Sequence, residues 1–325
     1  MDASGGVVVG VDIGGTKVLA AEVRPDGTVV RRALRHTPGR RVDPQLVEDA
    51  LTEAVHEAAG EGPVAAVGIA AAGLVDAAGE RVRFAAHLPW VGEPVRTRLA
   101  ERWGVPVALD NDATCAALAE SELGAARGAS SALMITLGTG IGGGVLVDGR
   151  LFRGFGGMAG EFGHMQVVPD GLACECGSVG CWEQYCSGNA LVRHARAGVA
   201  SSTALGDLCA GDPAALTGPM VTAAAEAGDA VALDAFASVG GWLGVGLANL
   251  VAAFDPERLV VGGGLAAAGE LLLGPARPVL ASSVLGAAHR ELPSLEVAAL
   301  GPEAGLIGAA LMARRARPVA PSVHF

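Results

Sequence analysis

Lysine and aromatic residues are nearly missing from this chain. Of its 325 residues one is lysine, Lys17, one is tyrosine, and Phe, Trp and Tyr together make up 4%. A core with so few rings has to be filled by Ala, Val and Leu, and the lone lysine draws attention to the glycine motif around it. Charge is also thin, at 18% of residues against 51% hydrophobic. That composition buries a large core and argues against disorder. There is no basic surplus: the formal net charge is −11, which argues against nucleic acid or an anionic membrane as a partner. No apolar leader precedes the first strand pattern. One uncharged run, 235–254, is long enough to span a bilayer. Gly240, Gly241, Gly244, Gly246 and Asn249 lower its hydropathy, so it reads as a buried helix. The expectation is a soluble, cytoplasmic protein.

A chain of 325 residues is long for one core, so two lobes are expected. The spacing predicts a buried strand over 7–12 ending in Asp12, then Gly14-Gly15-Thr16-Lys17, then strands over 18–23 and 28–35. A helix over 44–59 starts at Pro44, and a strand over 64–71 leads into Gly73. A helix over 93–103, a strand over 105–110 and a helix from Asp112 follow. The pattern then restarts: strand 132–137, a glycine loop 138–144, strand 145–147, and an Asp148-Gly149 hairpin turn. Further helices are predicted near 188–197, 229–254, 266–290 and 303–315, with strands near 258–261 and 295–300. Two copies of strand, glycine loop, strand suggest two α/β lobes of similar topology facing each other across a cleft. The expected division is 1–113, joined by a helix over about 312–325, against 114–311.

Gly138-Thr139-Gly140-Ile141-Gly142-Gly143 spells G-x-G-x-x-G. A dinucleotide site needs a helix directly after these glycines so that its N-terminus meets the pyrophosphate. A strand and a hairpin follow instead, and that reading fails. Gly14-Gly15-Thr16-Lys17 lacks the G-x-x-x-x-G-K-[ST] order of a P-loop. What remains is a hairpin turn of bare backbone amides facing an anion, once in each lobe, or two tight hairpins with no ligand. In the first case Asp12, at its strand end, would hold magnesium through water.

The segment 161–183 carries Glu161-Phe162-Gly163-His164 and Cys174-Glu175-Cys176-Gly177-Ser178-Val179-Gly180-Cys181-Trp182-Glu183. It has neither helical nor strand periodicity. Thiolate and imidazole are preferred ligands of a tetrahedral structural zinc ion, which takes four of them. A disulfide with a core histidine is the plainer alternative, but nothing else points to an oxidising compartment. Cys174, Cys176 and Cys181 supply three ligands; by spacing, either His164 or Cys186 could be the fourth. A metal that pins this loop also pins Glu161 and Glu183.

Together these motifs, Asp12-Ile-Gly-Gly-Thr-Lys17, Glu161-Phe-Gly-His164 and Cys174-x-Cys176-Gly-x-x-Gly-Cys181-x-Glu183, resemble the ROK family of sugar kinases and repressors, in order over about residues 7–312. The resemblance implies an actin-like ATPase fold (α/β, two lobes) with ATP and sugar in the cleft. It implies that Asp12, Gly14, Gly15, Thr16 and Lys17 form one phosphate segment and Gly138, Thr139 and Gly140 the other. Gly262, Gly263 and Gly264 would lie beside the adenosine. Asn111 and Asp112 would hold the sugar, Asp112 as catalytic base, with Gly73, Glu161, His164 and Glu183 as further sugar contacts. His164, Cys174, Cys176 and Cys181 match the zinc ligands. Two positions depart from the pattern: His87 stands where an Asn usually precedes Leu-Pro-Trp, and Asn189 where Thr is common.

The implied activity is ATP- and Mg2+-dependent phosphorylation of glucose to glucose 6-phosphate, by a homodimer or homotetramer. Mannose, fructose or an N-acetylhexosamine are alternative acceptors, and polyphosphate an alternative donor. A repressor would need a DNA-binding helix-turn-helix, for which the six residues before Val7 leave no room; a non-catalytic sugar sensor is the remaining alternative. On residue type alone Asp112 could be no more than an N-cap, and Asp110 is its rival carboxylate.

Overall fold

The computed structural model describes residues 6–316. The chain begins with strands β1 (Val7–Ile13), β2 (Lys17–Val23) and β3 (Val29–His36), then helix α1 (Pro44–Ala59) and strand β4 (Val64–Ala71). The small pair β5 (Leu74–Val75) and β6 (Val82–Phe84) leads to α2 (Val95–Trp103), β7 (Val107–Asn111) and α3 (Asp112–Leu123). Next come β8 (Ala132–Leu137), β9 (Ile141–Val147) and β10 (Arg150–Leu151). After the cysteine segment follow α4 (Gly188–Gly198), α5 (Thr203–Leu208), α6 (Gly218–Glu226) and α7 (Ala230–Phe254). The chain closes with β11 (Arg258–Gly262), α8 (Glu270–Ser283), β12 (Ser294–Val297) and α9 (Ala304–Ala313).

The strands make two five-stranded sheets of matching order, β3-β2-β1-β4-β7 and β10-β9-β8-β11-β12. In each, the third to fifth strands of that order run parallel, and the second strand returns through a glycine turn. The expected glycine loop 138–144 is shorter than the sequence suggests. Only 138–140 form the turn, because Ile141 to Gly144 already belong to β9; the bare backbone of these glycines pairs rather than loops. Asp148 and Gly149 do form the next turn, both at positive φ, as a two-residue hairpin of the primed type requires.

The described residues form two compact units, one of residues 6–128, 144–160 and 302–316, the other of 129–143 and 161–301. This division differs from the expected one at residue 113, because α3 packs on α9 within the first unit. Gly308 permits the approach, since a Cβ there would overlap the Cys115 carbonyl. The helix expected over about 312–325 lies largely outside the described residues, and α9 ends at Ala313.

In the first unit, α1 is started by the Asp43 carboxylate, which accepts from the Gln45 amide, with Pro44 in its first turn. Its Val47, Leu51 and Val55 pack with Val9, Val11 and Ile13 of β1 and with Val67 and Ile69 of β4. Each such side chain stabilises the fold by about 1.5–3 kcal/mol through burial. The opposite face of the same strands takes α9, and Gly10 and Gly68 are glycine for that reason: a Cβ at either would overlap the backbone of Leu306 or Ala309. In the second unit, α7 is long and apolar enough to cross a membrane by composition, yet it packs against α4 and α8. Gly240 and Gly244 let α8 approach, since a Cβ at either would come within 2.6 Å of the Leu272 or Ala276 carbonyl.

Candidate active site

In the first unit, β1 ends beside the turn into β2. The Gly14 amide donates to the Lys17 carbonyl at 3.0 Å, and Thr37 Oγ1 donates to the Gly14 carbonyl at 2.7 Å. Gly15 packs against His87, whose Cβ a side chain at 15 would overlap; the departing residue is thus a neighbour of the turn between β1 and β2. Gly14 has no such neighbour, and a Cβ there would meet nothing within 4 Å. Neither packing nor a positive φ requires glycine at 14. Asp12, partly buried, has its carboxyl pushed up to about 6 by burial and by the nearby Asp112 charge, with Lys17 acting the other way.

At the carboxyl end of β7, the expected cap of α3 is one residue off. Asn111, not Asp112, is the N-cap, its Oδ1 accepting from the Thr114 amide at 3.0 Å. Its Nδ2 donates to the Gly73 carbonyl at 3.2 Å, which brings two of the predicted sugar residues together. The Asn111 side chain also hydrogen-bonds the Asp112 carboxylate. Asp112 is the first helical residue, where the helix dipole favours an anion. Its Oδ1 accepts from the Ala113 amide at 2.8 Å, burial pushes its carboxyl up, and among the described residues no cation pairs with it.

Asp110 has a different environment. It is buried, and Arg153 donates to it at 2.7 Å while also donating to the Asp76 and Ala77 carbonyls. Burial pushes the Asp110 carboxyl up and the guanidinium acts against this. Asp110 is therefore tied into the scaffold. Arg153 escaped sequence reasoning; the visible signal was a charged residue entering the glycine-rich 154–160 segment.

In the second unit, the Gly138 amide donates to the Gly140 carbonyl at 3.0 Å and closes the turn from β8 to β9. A Cβ on Gly138 meets nothing within 4 Å, as at Gly14. Gly262 pairs in register with Thr136, so 262–264 and the 138–140 turn lie at the carboxyl ends of adjacent parallel strands, where such sheets bind ligands. Gly263 has φ +84°, and a Cβ on it would overlap the Leu137 carbonyl.

The ligand atoms of His164, Cys174, Cys176 and Cys181 all lie within 4.8 Å of one another. Cys176 and Cys181 Sγ are 3.6 Å apart, and Cys174 Sγ is 3.7 Å from His164 Nδ1. A tetrahedral zinc with Zn–S near 2.3 Å needs sulfur separations of about 3.8 Å, so the donor set fits. The loop is shaped by Gly177 at φ +92° and by the Cys174 amide donating to Ser178 at 2.8 Å. All six cysteines are free. Cys186 stands outside the cluster, fully buried, its thiol pushed up by burial.

Two carboxylates flank this cluster. Glu161 Oε2 is 3.9 Å from His164 Nε2, the ring nitrogen turned away from Cys174. Glu183 places Oε1 3.1 Å from Cys174 Sγ and 3.6 Å from His164 Nδ1, and Oε2 accepts from the Ile141 amide at 3.4 Å. Glu183 is held by its neighbours. Trp182, fully buried, donates from Nε1 to the Trp242 carbonyl at 2.8 Å and fits α7 only because residue 246 is glycine. Tyr185 packs on the Trp242 ring at 4.9 Å and accepts from the Leu172 amide.

A family model described as the ROK family matches residues 8–316. The glucokinase of Streptomyces coelicolor is 41% identical over 321 residues, covering 97% of this chain and 99% of the relative. A ROK family glucokinase from Streptomyces griseus, solved in complex with glucose and AMPPNP, superposes with a TM-score of 0.89 at 42% identity, covering 95% of this chain and 100% of the other. The ROK hexokinase of Thermus thermophilus gives 0.71 at 37% identity, covering 95% and 98%.

Proposed function

Since the chain belongs to the ROK family, we infer that it transfers the γ-phosphoryl group of ATP to glucose and releases glucose 6-phosphate. Its fold is the two-lobed α/β fold of actin-like ATPases. The observation that carries the catalytic assignment is Asp112: a carboxylate at a strand end, raised by burial, with no cation paired to it among the described residues, beside an Asn fixed as a helix cap. Asp112 accepts the hydroxyl proton as the sugar oxygen attacks phosphorus, and its raised affinity for a proton suits that step. Asn111, Gly73, Glu161, His164 and Glu183 bind sugar hydroxyls. The amides of Gly15, Thr16, Thr139 and Gly140 bind phosphate oxygens in turns closed by the Gly14 and Gly138 amides, Lys17 adds positive charge, and the backbone of 262–264 borders the adenosine. Asp12 would hold Mg2+, which would supply positive charge against the phosphates. His164, Cys174, Cys176 and Cys181 would hold a structural zinc, which would stiffen the loop bearing Glu161 and Glu183.

A coupled assay over a hexose panel, with ATP and polyphosphate as donors, tests this reading. Turnover of glucose with ATP is expected to dominate. His87 against Gly15 favours a second reading, a kinase for mannose, fructose or an N-acetylhexosamine, and a larger kcat/KM for one of these would establish it. The family further implies a cytoplasmic homodimer or homotetramer, which gel filtration of the pure protein checks.

Gly14→Val and Gly138→Val test the phosphate turns, because a Cβ at either position meets nothing within 4 Å. Each is expected to weaken AMPPNP binding by about tenfold or more, roughly 1.4 kcal/mol, while glucose affinity stays put in calorimetric titrations. Unchanged nucleotide affinity in both variants would remove the turns from the site.

The raised Asp12 carboxyl also predicts a pH-dependent stability effect. From 3.8 to about 6, the shift costs the folded state about 3 kcal/mol once Asp12 is ionised. The cost is absent below the unfolded value, where both states are protonated, and is complete once pH rises past the folded value. Asp12→Asn should therefore stabilise the metal-free protein by about 1–3 kcal/mol at pH 7.5, and progressively less as pH falls towards 4. Urea unfolding of both proteins at the two pH values measures this; an equal difference at both would refute it.

A further inference from the structure

The segment bearing the metal ligands fastens the 138–140 turn at more than one point, all within the second unit. Glu183 Oε2 accepts from the Ile141 amide at 3.4 Å, just past the turn, while Oε1 faces Cys174 and His164. The Gly188 amide donates to the Gly138 carbonyl at 2.8 Å, and a Cβ on Gly188 would come 2.8 Å from that oxygen. Gly163, beside His164, packs so closely that a Cβ would lie 2.5 Å from the Ile141 carbonyl. A turn built of Gly-Thr-Gly has little stiffness of its own, since glycine samples more backbone conformations than any other residue. Binding phosphate through its amides is tight only if those conformations are already restricted.

We propose that Glu183 is a positioning residue for the nucleotide: with the Gly188 amide it clamps the 138–140 turn to the metal loop and holds its amides ready for phosphate. The carboxylate thereby links two groups of residues, the loop of His164 and Cys174 on one oxygen and the nucleotide turn on the other. The inference rests on reading that turn as a nucleotide site. It adds to a sugar-binding role for Glu183 an effect that exists with no sugar present.

The test is calorimetric titration of the full-length, zinc-loaded protein with AMPPNP in the absence of any sugar. Glu183→Ala and Gly188→Ala are each expected to raise Kd about tenfold, the scale of losing one hydrogen bond that holds the site. Glu183→Gln, which keeps an acceptor for the Ile141 amide, should stay within about threefold of wild type. Gly188→Ala should leave glucose affinity unchanged. Circular dichroism and the unfolding midpoint of each variant establish that it is folded, and Gly188→Ala carries the test alone if Glu183→Ala is not. Nucleotide affinity equal to wild type in both alanine variants overturns the proposal while leaving the turn as the nucleotide site, as a sugar-only role for Glu183 requires. A Glu183→Gln variant as weak as Glu183→Ala also overturns it. Wild type that binds no AMPPNP overturns the nucleotide reading and this proposal together.

Discussion

Asp112→Asn lowers kcat by about 10²-fold or more, the scale of losing a general base, and leaves glucose affinity within a few-fold of wild type. The amide side chain can still accept from Ala113 at the start of α3, as Asp112 Oδ1 does, so the fold is expected to survive. Asp110→Asn is the paired control, and its outcome is opposite in kind. It removes the charge facing Arg153, so stability falls by about 2 kcal/mol, less than for a fully buried pair because the arginine keeps some exposure. Its kcat stays within a few-fold. Rates from the coupled assay and midpoints from urea unfolding separate the two carboxylates. An Asp112→Asn enzyme turning over within a few-fold of wild type would transfer the base to another residue.

The second large effect concerns the metal. Mass spectrometry of the folded protein is expected to find one zinc per chain in wild type and in Cys186→Ser, and well below one in His164→Ala. Cys186 is buried apart from the four clustered ligands, whereas His164 Nδ1 faces Cys174 Sγ. Losing His164 frees Glu161 and Glu183 together, so glucose affinity should fall with zinc content. Binding depends on pre-set geometry, and removing a ligand's support typically costs 10–100-fold in affinity. Zinc lost on removing Cys186, and kept on removing His164, would reverse the assignment.

Most elements were legible because their periodicity and punctuation agree. Pro44 after Asp43 starts α1 where expected, and the apolar runs of β1, β4 and β8 stand where the pattern put them. The motifs also marked the four clustered side chains and the two glycine turns. Other features were not legible, for physical reasons. Glycine at 142–144 spells a loop but pairs as strand, since an interior position can tolerate a missing side chain where a neighbour comes close; Gly144 abuts Ala117. The cap of α3 went to Asn111 because capping depends on φ and ψ, which Asn and Asp serve equally well. Arg153 pairs with Asp110 across 43 positions of chain, a separation no local pattern reports. The glycines of α7 were read only as lowering hydropathy, while the fold uses them to seat α8 and Trp182.

The position of α9 has a consequence for biosynthesis. Its backbone fills the room left by Gly10 and Gly68 on the first unit's sheet, yet it is encoded after the whole second unit. Between Gly128 and Pro302 a ribosome adding about 5–20 residues per second needs roughly 9–35 s. For that time the strands of the first unit are complete in sequence but lack α9 on one face, where only α3 touches them. The second unit can close around its own core before the first has received its last helix. Nascent chains stalled or truncated ahead of residue 302 should then hold an open sheet, the species that chaperones bind and aggregates grow from. The last helix among the described residues is the one that the first strands wait for.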